Sequence, residues 1–285
     1  MFIGTDKLTH TYMPGTPFAT EALKDVSFAM EKGAFTLILG RSGSGKTTFV
    51  QHLNGLLRPT TGKVLFDRDI IDYKKKRNLL HLRRRIGLVF QMPEEQFFTE
   101  SVYDEVAFAP RNLGFNEKQV AEKVKTALQK VNLDPDQLSE RHPFQLSAGQ
   151  KRLVAIAAVL SLQPEVLIFD EPTAGLDAAG KNNFFKLLQY LNQNEGLSII
   201  ISTHHLDEIA SLANQVLVLE NGRLVMDGFA EEIFTRRDEL TKLGLALPPV
   251  TEIMHNLHRK GFSVNRATFT LAEARREIND LMRRR

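Results

Sequence analysis

Uninterrupted apolar runs recur along the chain, separated by helix-like stretches. A run of about five apolar residues is typical of a strand buried on both faces, as in a parallel sheet. The runs that predict such strands are 35–39, 86–90, 166–171 and 197–202. Apolar residues three and four apart predict helices at 47–54, 101–133, 152–162 and 184–191. The alternation predicts an α/β fold with a mostly parallel sheet and ligand loops at the carboxyl ends of its strands.

The pattern differs on either side of this region. Residues 8–12 and 22–30 predict two strands near the N-terminus. Residues 215–227 predict a hairpin turning at Asn221-Gly222, because both residue types accept the positive φ of tight hairpin turns. These segments add antiparallel pairing to the predicted sheet structure.

The composition shifts after about residue 240. Two short helices are predicted, at 250–260 and 271–282, and the second opens with a capping box formed by Thr270 and Glu273. We therefore predict a main domain at 1–240 and a small α-rich extension at 241–285.

Composition limits the classes of protein. The net charge is +3, with 42% hydrophobic and 25% charged residues, which is ordinary for a globular protein. The basic runs 74–77 and 83–85 favour a solvated face over a lipid or nucleic-acid patch. The absence of cysteine excludes disulfides and Cys-ligated metals. The longest mostly apolar run, 153–162, is half of a membrane span, so we expect other chains to hold this one at any membrane.

A glycine-rich loop follows the first buried strand. Residues 40–48 read G-R-S-G-S-G-K-T-T, with the spacing G-x-x-x-x-G-K-T between a strand and a helix. Glycines let backbone N–H groups converge on a phosphate, and the helix N-terminus adds partial positive charge. Lys46 is expected to bridge the β- and γ-phosphates, and the Thr47 hydroxyl to bind Mg²⁺. A glycine-rich turn with a surface lysine is the less favoured alternative. The predicted nucleotide-binding residues here are Gly40, Arg41, Ser42, Gly43, Ser44, Gly45, Lys46, Thr47 and Thr48.

Polar side chains end the other predicted strands. Asp170 and Glu171 are adjacent, and adjacent strand residues point to opposite sides, so one carboxylate is expected to hold Mg²⁺ and the other to face an attacking water. His204 follows the next strand, within reach of a γ-phosphate, whereas His205 is expected to be structural. Gln91 ends another strand, and its amide oxygen can complete the Mg²⁺ shell. A solvated strand end is the alternative for the Asp-Glu pair, and a structural role is the alternative for His204.

A second helix N-terminus carries small residues. Ser147-Ala-Gly-Gln150 precedes the apolar helix at 152–162, which makes a second potential phosphate site. One nucleotide seldom needs two such sites from one chain. We therefore expect the second site to act on a nucleotide held by another subunit.

Together these motifs resemble those of the ATP-binding cassette (ABC) ATPases, in order and spacing. Residues 40–47 resemble the Walker A loop, Gln91 the Q-loop, 146–150 the signature, 166–171 Walker B, 175–177 the D-loop and His204 the switch histidine. The resemblance covers roughly residues 5–235. It implies a P-loop NTPase fold with a mostly parallel core, an antiparallel β subdomain and a helical subdomain at about 95–162. It also implies a dimer that sandwiches two ATP molecules head to tail.

The resemblance implies a role for each motif residue. Lys46, Glu171 and His204 are expected to be catalytic, with Glu171 as general base and His204 as γ-phosphate sensor. Thr47, Gln91 and Asp170 are expected to bind Mg²⁺, Ser147, Ala148, Gly149 and Gln150 to act on the partner's ATP, and Asp177 to belong to the D-loop. Tyr12 resembles the aromatic residue that stacks on adenine, and a core position is its alternative. The family signature reads L-S-G-G-Q, so Ala148 is a departure that leaves binding intact and allows slower hydrolysis.

Four longer stretches, 91–98, 106–110, 170–177 and 243–249, are similar to the ATPases of energy-coupling factor (ECF) transporters. Those transporters import vitamins and cobalt or nickel ions, and this chain looks most like the second of their two paralogous ATPases. The resemblance implies a heterodimer with the paralogue, dimer contacts from the C-terminal unit, and a peripheral location on the cytoplasmic face of the cell membrane. A membrane T component is expected to dock at 93–98, with core positions for Phe97 and Phe98 as the alternative. A separate S component is expected to bind the substrate.

Two other functions are weaker readings of the same motifs. Soluble ABC proteins that act on DNA or ribosomes usually carry a coiled-coil insertion or a second cassette. This chain has one cassette and about 55 residues between Gln91 and the signature, so no nucleic-acid partner is expected. A non-hydrolysing nucleotide switch is disfavoured because Glu171 and His204 are both present.

Overall fold

A computed structural model describes residues 1–204 and 208–283, so the expectation for His205 falls outside the described residues. The strands, in chain order, are β1 Ile3–Tyr12, β2 Thr20–Met30, β3 Phe35–Leu39, β4 Thr61–Phe66, β5 Asp69–Ile70, β6 Ile86–Val89, β7 Val166–Asp170, β8 Ser198–Thr203, β9 Gln215–Glu220 and β10 Arg223–Phe229. The helices are α1 Lys46–Leu53, α2 Lys76–Arg85, α3 Val102–Asn112, α4 Glu117–Lys130, α5 Pro135–Leu138, α6 Ala148–Leu160, α7 Ala178–Gln193, α8 Ala230–Thr235, α9 Arg237–Lys242, α10 Pro249–Arg259 and α11 Leu271–Arg283.

The main sheet has the strand order β10-β9-β3-β8-β7-β6. Every neighbouring pair is parallel except β9 and β10, which form the predicted hairpin. The mostly parallel core is therefore confirmed. Because β8 lies between β3 and β7, the segments that follow these three strands meet at one edge of the sheet.

A second sheet is antiparallel and has the order β2-β1-β4-β5. It is the antiparallel β subdomain that the family resemblance implies. Its strand β1 begins at Ile3, earlier than the hydrophobic pattern predicted, because the first half of the strand is held by pairing with β2 and β4 rather than by its own apolar content.

Both faces of the main sheet are buried. Ile38, Ile168 and Ile200 pack into a core shared with the antiparallel sheet and α1. Their neighbours in sequence point the other way, so Leu37 and Phe169 pack into a larger core that includes residues of α3, α4, α6 and α7. This is why the strand sequences read as unbroken apolar runs.

The helical region that follows β6 is broken, although the sequence predicted one stretch at 101–133. Helix α3 ends before Gly114, whose φ of +80° is a left-handed conformation that favours glycine. Helix α4 then begins with a capping box in which Asn116 and Gln119 each bond to the other's backbone. The break lets two shorter helices pack against α6.

The basic run 83–85 ends α2, a helix that the sequence did not predict. Arg85 makes a short hydrogen-bonded ion pair with Glu165, which lowers the pKa of that carboxyl, and a second ion pair with Asp67. Arg83 donates to the carbonyl of Gly55 at 2.9 Å. The run therefore joins neighbouring segments of this chain as well as facing solvent.

The C-terminal extension forms a small core of its own around Met254, Val264 and Ala274. Its contacts with the main body include an edge-to-face pair of Phe234 and Phe269 with ring centroids 5.3 Å apart. The predicted capping box of α11 is present, since the Thr270 hydroxyl accepts from the Glu273 N–H, and the Glu273 carboxylate accepts from the Thr270 N–H. The boundary at residue 241 stays a prediction.

Within residues 1–204 and 208–283, every helix is too short or too polar to span a bilayer.

Candidate functional site

The glycine loop connects β3 to α1 and curves tightly because its glycines adopt positive φ. Gly43 has φ +79° and Gly45 has φ +103°. A Cβ at Gly45 would lie 2.7 Å from the carbonyl oxygen of Ala22, so no larger residue fits there without a shift. The neighbouring β2 thus fixes the loop directly against the N-terminus of α1.

Lys46 lies folded over the loop with 6% of its surface exposed. Its Nζ donates to the carbonyl oxygens of Gly40 at 2.7 Å and Arg41 at 3.2 Å, and lies 3.5 Å from Oε1 of Glu171. The buried hydroxyl of Ser44 has no hydrogen-bond partner among the described residues. A buried hydroxyl without a partner is unfavourable, so this position suits a ligand oxygen. The loop is therefore shaped to hold an anion such as a phosphate.

Two carboxylates stand at the end of β7 in different environments. Asp170 is 5% exposed and accepts a short hydrogen bond from the Ser202 hydroxyl of β8. Glu171 has φ +48°, so it leaves the extended conformation. The strand therefore ends at Asp170, one residue earlier than the sequence predicted.

The Glu171 carboxylate is held by two neighbours from the end of β8. Nδ1–H of His204 donates to Oε1 at 2.8 Å, and the Thr203 hydroxyl donates to Oε2 at 3.2 Å. With Lys46 on the same oxygen, the carboxylate is fixed between a cation and an imidazole at the mouth of the loop. A carboxylate fixed this way can accept a proton from a water above the loop.

Asp170 is the group that best fits a cation. It is buried, yet no lysine, arginine or histidine of the described residues forms an ion pair with it, and an unpaired buried carboxylate is costly. No cluster of three His, Cys, Asp or Glu side chains capable of holding a metal occurs in residues 1–204 and 208–283. A cation at Asp170 would therefore share its coordination with hydroxyl, amide or substrate oxygens, as Mg²⁺ commonly does.

The other two predicted Mg²⁺ ligands are not joined to Asp170 by hydrogen bonds. Thr47 lies in the first turn of α1 and is exposed, and Gln91 is exposed just beyond β6. Both lie after strands whose carboxyl ends meet at the same edge of the sheet. Hydroxyl and amide oxygens are hard donors that suit Mg²⁺, so the set fits the ion in chemistry.

Tyr12 ends β1 beside the phosphate-binding helix. Its ring is 38% exposed, and its hydroxyl lies 3.1 Å from the Thr48 hydroxyl of α1. The alternative that placed Tyr12 in the core is therefore wrong. Its use as a base-stacking platform stays a prediction.

The Ser147–Gln150 segment faces solvent at the start of α6. The Ser147 hydroxyl accepts from the Gln150 N–H at 3.2 Å, and the Gln150 amide oxygen accepts from the Ser147 N–H at 3.1 Å, which is a capping box. Ala148 and Gly149 are exposed, and a Cβ added at Gly149 would meet nothing within 4 Å. Within residues 1–204 and 208–283, no neighbouring atom requires a glycine at this position.

The turn after β7 is held by the Arg152 side chain of α6 and ends at Asp177, which caps α7. The Arg152 guanidinium, in the second turn of α6, donates to the carbonyl oxygens of Pro172 at 3.0 Å and Ala174 at 3.1 Å. Asp177 caps α7, because its carboxylate accepts from the Gly180 N–H at 2.7 Å. Sequence reasoning missed Arg152, whose one signal was an arginine inside an otherwise apolar helix.

Comparison with known families matches residues 23–174, just over half of the chain, to the family model described as "ABC transporter". The chain belongs to the ABC transporter family. As an ABC protein with this nucleotide loop and carboxylate pair, it is an ATPase.

Full-length relatives narrow the family further. The chain is 41% identical to the energy-coupling factor transporter ATP-binding protein EcfA2 of Clostridium perfringens, covering 99% of both chains. It is 42% identical to the protein of the same name from Clostridioides difficile, covering 100% of this chain and 99% of the relative. It is 45% identical to that of Symbiobacterium thermophilum, with 94% and 92% coverage. Within the ABC family, the chain is therefore an ATPase of the ECF type and resembles the second paralogue, as the motifs predicted.

Solved ABC structures share the fold. The cbiO1 structure from Clostridium perfringens, described as part of the ABC transporter complex cbiONQ, has a TM-score of 0.75 at 37% identity and covers 89% of this chain and 98% of that one. An ATP-binding cassette in a dimeric post-hydrolysis state with ADP and phosphate has a TM-score of 0.71 at 27% identity, with 80% and 99% coverage. The fold class predicted from the sequence is confirmed.

The ABC motifs fall into two groups in this structure. The Walker A lysine, the Walker B glutamate and the switch histidine are in direct contact within one chain. The signature residues Ser147 and Gln150 bond to each other and face outward. The support given to these groups by Ser202 and Thr203 was not predicted, although both residues lie in the strand that leads to His204.

Proposed function

We propose that this chain is the ATP-hydrolysing subunit of an ECF-type importer. It powers uptake of a vitamin or a transition-metal ion through a membrane T component, while a separate S component binds that substrate. The similarity of 41–45% over nearly the whole chain to ECF transporter ATP-binding proteins is the observation that carries the proposal. The subunit works peripherally on the cytoplasmic face of the cell membrane.

In this function the glycine loop binds the ATP triphosphate. Lys46 exchanges the carbonyl oxygens of Gly40 and Arg41 for phosphate oxygens, and the buried Ser44 hydroxyl gains a partner. Glu171 is the general base that takes a proton from the attacking water, and the His204 N–H fixes its carboxylate in position. Tyr12 stacks on the base, beside the helix that carries the phosphates.

Thr47, Asp170 and Gln91 are the residues that would hold Mg²⁺. The ion, when bound, neutralises charge on the phosphate oxygens. Asp170 supplies the buried carboxylate, and the Ser202 hydroxyl keeps that carboxylate oriented. The two carboxylates therefore have separate tasks, with Asp170 toward the cation and Glu171 toward the water.

Turnover requires a second ATPase chain. Ser147, Ala148, Gly149 and Gln150 face outward and complete the site of the partner paralogue, whose own signature completes the site described above. The exposed helix N-terminus and the unoccupied space around Gly149 support this arrangement. Asp177, the residue that caps α7, contributes the D-loop contact across the same interface.

The T component docks beside the Q-loop, at residues 93–98. The two phenylalanines there differ, because Phe97 is buried and Phe98 is 64% exposed. Phe98 packs edge-to-face on Phe108 at 4.7 Å between centroids, and Phe108 is itself 45% exposed. An exposed aromatic pair suits an apolar helix of a membrane partner.

The test is affinity purification of the tagged chain from membranes of its native host after detergent extraction. The expected result is co-purification of a second ABC ATPase and a polytopic membrane protein. A Phe98→Ser variant is expected to lose the membrane protein and keep the second ATPase. Isolation only as a homodimer that binds DNA would contradict the proposal and favour the soluble class of ABC protein.

A further inference from the structure

Two histidines lie buried between β1 and α1, next to the nucleotide loop. His52 is fully buried and His10 is 8% exposed. His10 Nδ1 lies 3.1 Å from His52 Nε2, and the two rings meet edge-to-face. Tyr12, two residues further along β1, packs edge-to-face on His10 with centroids 4.5 Å apart.

Together with Thr48 of α1, the residues Tyr12, His10 and His52 form a chain of contacts between β1 and α1, which we call the ladder. Thr48 and His52 are four residues apart, so both face β1. Tyr12 bonds to the Thr48 hydroxyl, and His52 Nδ1 bonds to the Thr48 carbonyl oxygen at 2.7 Å. Thr48 is therefore shared by the tyrosine and the histidine pair. The ladder connects the exposed aromatic ring to the helix that follows Lys46 and Thr47.

The acceptors determine where the hydrogens lie. The Thr48 carbonyl can only accept, so His52 Nδ1 carries the hydrogen and its Nε2 offers a lone pair. His10 Nδ1–H must then donate to that lone pair, and the Arg58 carbonyl oxygen, 3.2 Å away, shares the same hydrogen. His10 Nε2 is left as a buried lone pair with no partner among the described residues. The ladder requires a neutral His52, because its Nε2 must offer a lone pair to the His10 N–H.

We propose that His10 and His52 are positioning residues that hold Tyr12 at a fixed place over the adenine base of ATP, and that protonation of His52 releases it. The inference rests on the proposed role of Tyr12 in nucleotide binding. A tyrosine ring that is already ordered before ATP binds loses less conformational entropy on binding. Its contact with the base therefore contributes more to the affinity than that of a mobile ring. Neither imidazole touches the reacting atoms.

Among the described residues, nothing close to His52 compensates for an added proton. A hydrogen on His52 Nε2 would face the His10 N–H. Among the described residues, no carboxylate contacts either ring. The ring nitrogens contact the Thr48 and Arg58 carbonyl oxygens, while the Tyr73 hydroxyl donates to the His52 backbone carbonyl and the Arg58 side chain is exposed. Burial lowers the pKa of His52 to about 4, which agrees with a neutral ladder near pH 7.

The test compares the Kd of the full-length chain for ATP with its Kd for inorganic tripolyphosphate, which lacks the base. His10→Phe keeps a ring and removes the hydrogen bond, and is expected to weaken ATP binding about 3- to 10-fold while tripolyphosphate binding is unchanged. His10→Asn keeps a donor at the Nδ1 position and is expected to restore ATP binding. In a Tyr12→Ala background, His10→Phe is expected to cause no further loss.

The same ratio of the two Kd values is then measured from about pH 7 to about pH 4. In the wild type the ratio of ATP Kd to tripolyphosphate Kd is expected to rise as the pH approaches the His52 pKa of about 4, and in His10→Phe, where the ladder is already broken, to stay flat. Should His10→Phe not fold, His52→Asn replaces it, since the shorter side chain keeps the bond to Thr48 and cannot reach His10.

Two results separate the ladder from the proposed function. If Tyr12→Ala weakens ATP binding but the histidine variants do not, the ladder is wrong and the nucleotide site stands. If Tyr12→Ala leaves ATP binding unchanged, the base contact itself is wrong, and both proposals about Tyr12 fall.

Discussion

The glycine loop and the start of α6 differ in how many of their functional groups have partners within this chain. At the nucleotide loop, Lys46, Glu171 and His204 already have partners within the chain. At the start of α6, the side chains of Ser147 and Gln150 cap each other's backbone, and a Cβ on Gly149 would meet no described atom within 4 Å. The first region is held by contacts within its own chain, and the second is the exposed segment that, in the proposed function, a second chain would contact.

The same difference is seen at Gly45 and Gly149, since contacts within the chain exclude a side chain at the first position and not at the second. Gly45 is required by the fold of its own subunit, because the Ala22 carbonyl lies 2.7 Å from its missing Cβ. Gly149 has no such neighbour. Loss of function at the first glycine is therefore expected to come with loss of stability, and at the second without it.

The largest expected effect is at Glu171. Glu171→Gln removes the proton acceptor and keeps the shape, so ATP turnover in the assembled complex is expected to fall by about 10²- to 10⁴-fold. ATP-driven pairing of the subunits is expected to remain. The control is Glu122→Gln, an exposed site on α4 that removes the same charge. Full turnover in the Glu171 variant would remove that residue as the general base.

Matched alanine substitutions at the two glycines give the next effect. Gly45→Ala is expected to lower the free energy of unfolding by about 1–3 kcal/mol and to weaken ATP binding, because of the clash and the positive φ. Gly149→Ala is expected to leave the free energy of unfolding equal or up to about 1 kcal/mol higher. Its turnover in the assembled complex is expected to fall about 10- to 100-fold, since small misplacements cost rate.

Denaturant unfolding and ATPase assays on both variants check this pair. Equal destabilisation by the two substitutions would show that the signature, too, is packed within its own chain. Normal turnover with Gly149→Ala would show that no group from another chain approaches that position.

A third effect concerns the pH dependence of the free energy of unfolding, which the buried His52 beside the nucleotide loop is expected to change. Burial lowers the pKa of His52 from 6.5 to about 4. Between those values the unfolded chain binds a proton that the folded chain excludes, so the free energy of unfolding decreases as the pH falls through this window. The contribution is fully present above about pH 6.5, and about 3 kcal/mol of it is lost on approaching pH 4.

Urea titrations at several pH values measure that loss. His52→Gln is expected to be less stable at pH 7 and to show a shallower decline than the wild type between pH 6.5 and 4. The exposed His81 provides the control, because His81→Gln is expected to leave the decline unchanged. A decline that His52→Gln does not alter would contradict the assignment.

The smallest effect is expected at Ala148, the departure from the family signature. Ala148→Gly restores L-S-G-G-Q in an exposed first helical position. It is expected to lower the free energy of unfolding by no more than about 1 kcal/mol and to raise turnover less than about 3-fold. A larger increase in the rate of ATP hydrolysis by the complex would identify Ala148 as a brake on the site it completes.

The sequence predicted an element most accurately where one local feature, such as burial on both faces or a fixed glycine spacing, determines its structure. The strands β3, β7 and β8 are unbroken apolar runs because both faces of the sheet are buried, and the glycine loop has a fixed spacing. It was weaker where the partner lies far away in sequence. The helix α2 was missed because its apolar face is short and its arginines bond to distant segments, among them Glu165.

The same limit applies to the site. Lys46, Glu171 and His204 were predicted, but the left-handed backbone of Glu171 was not, because a residue just beyond a strand has no pattern that fixes its φ. His10 and His52 were also missed. The signal was present in the spacing, since His10 is two residues from Tyr12 on a strand and His52 is four from Thr48 on a helix. The two histidines meet only because β1 packs against α1, and the sequence does not show that packing.

The resting position of Lys46 has a consequence for the end of each transport cycle. In the proposed function, the ammonium group returns to the Gly40 and Arg41 carbonyl oxygens and to Glu171 when the hydrolysis products leave. The loop then contains a paired cation instead of a bare buried one. The same bonds preserve the curvature of the loop, and the subunit is ready for a fresh nucleotide without refolding its binding surface.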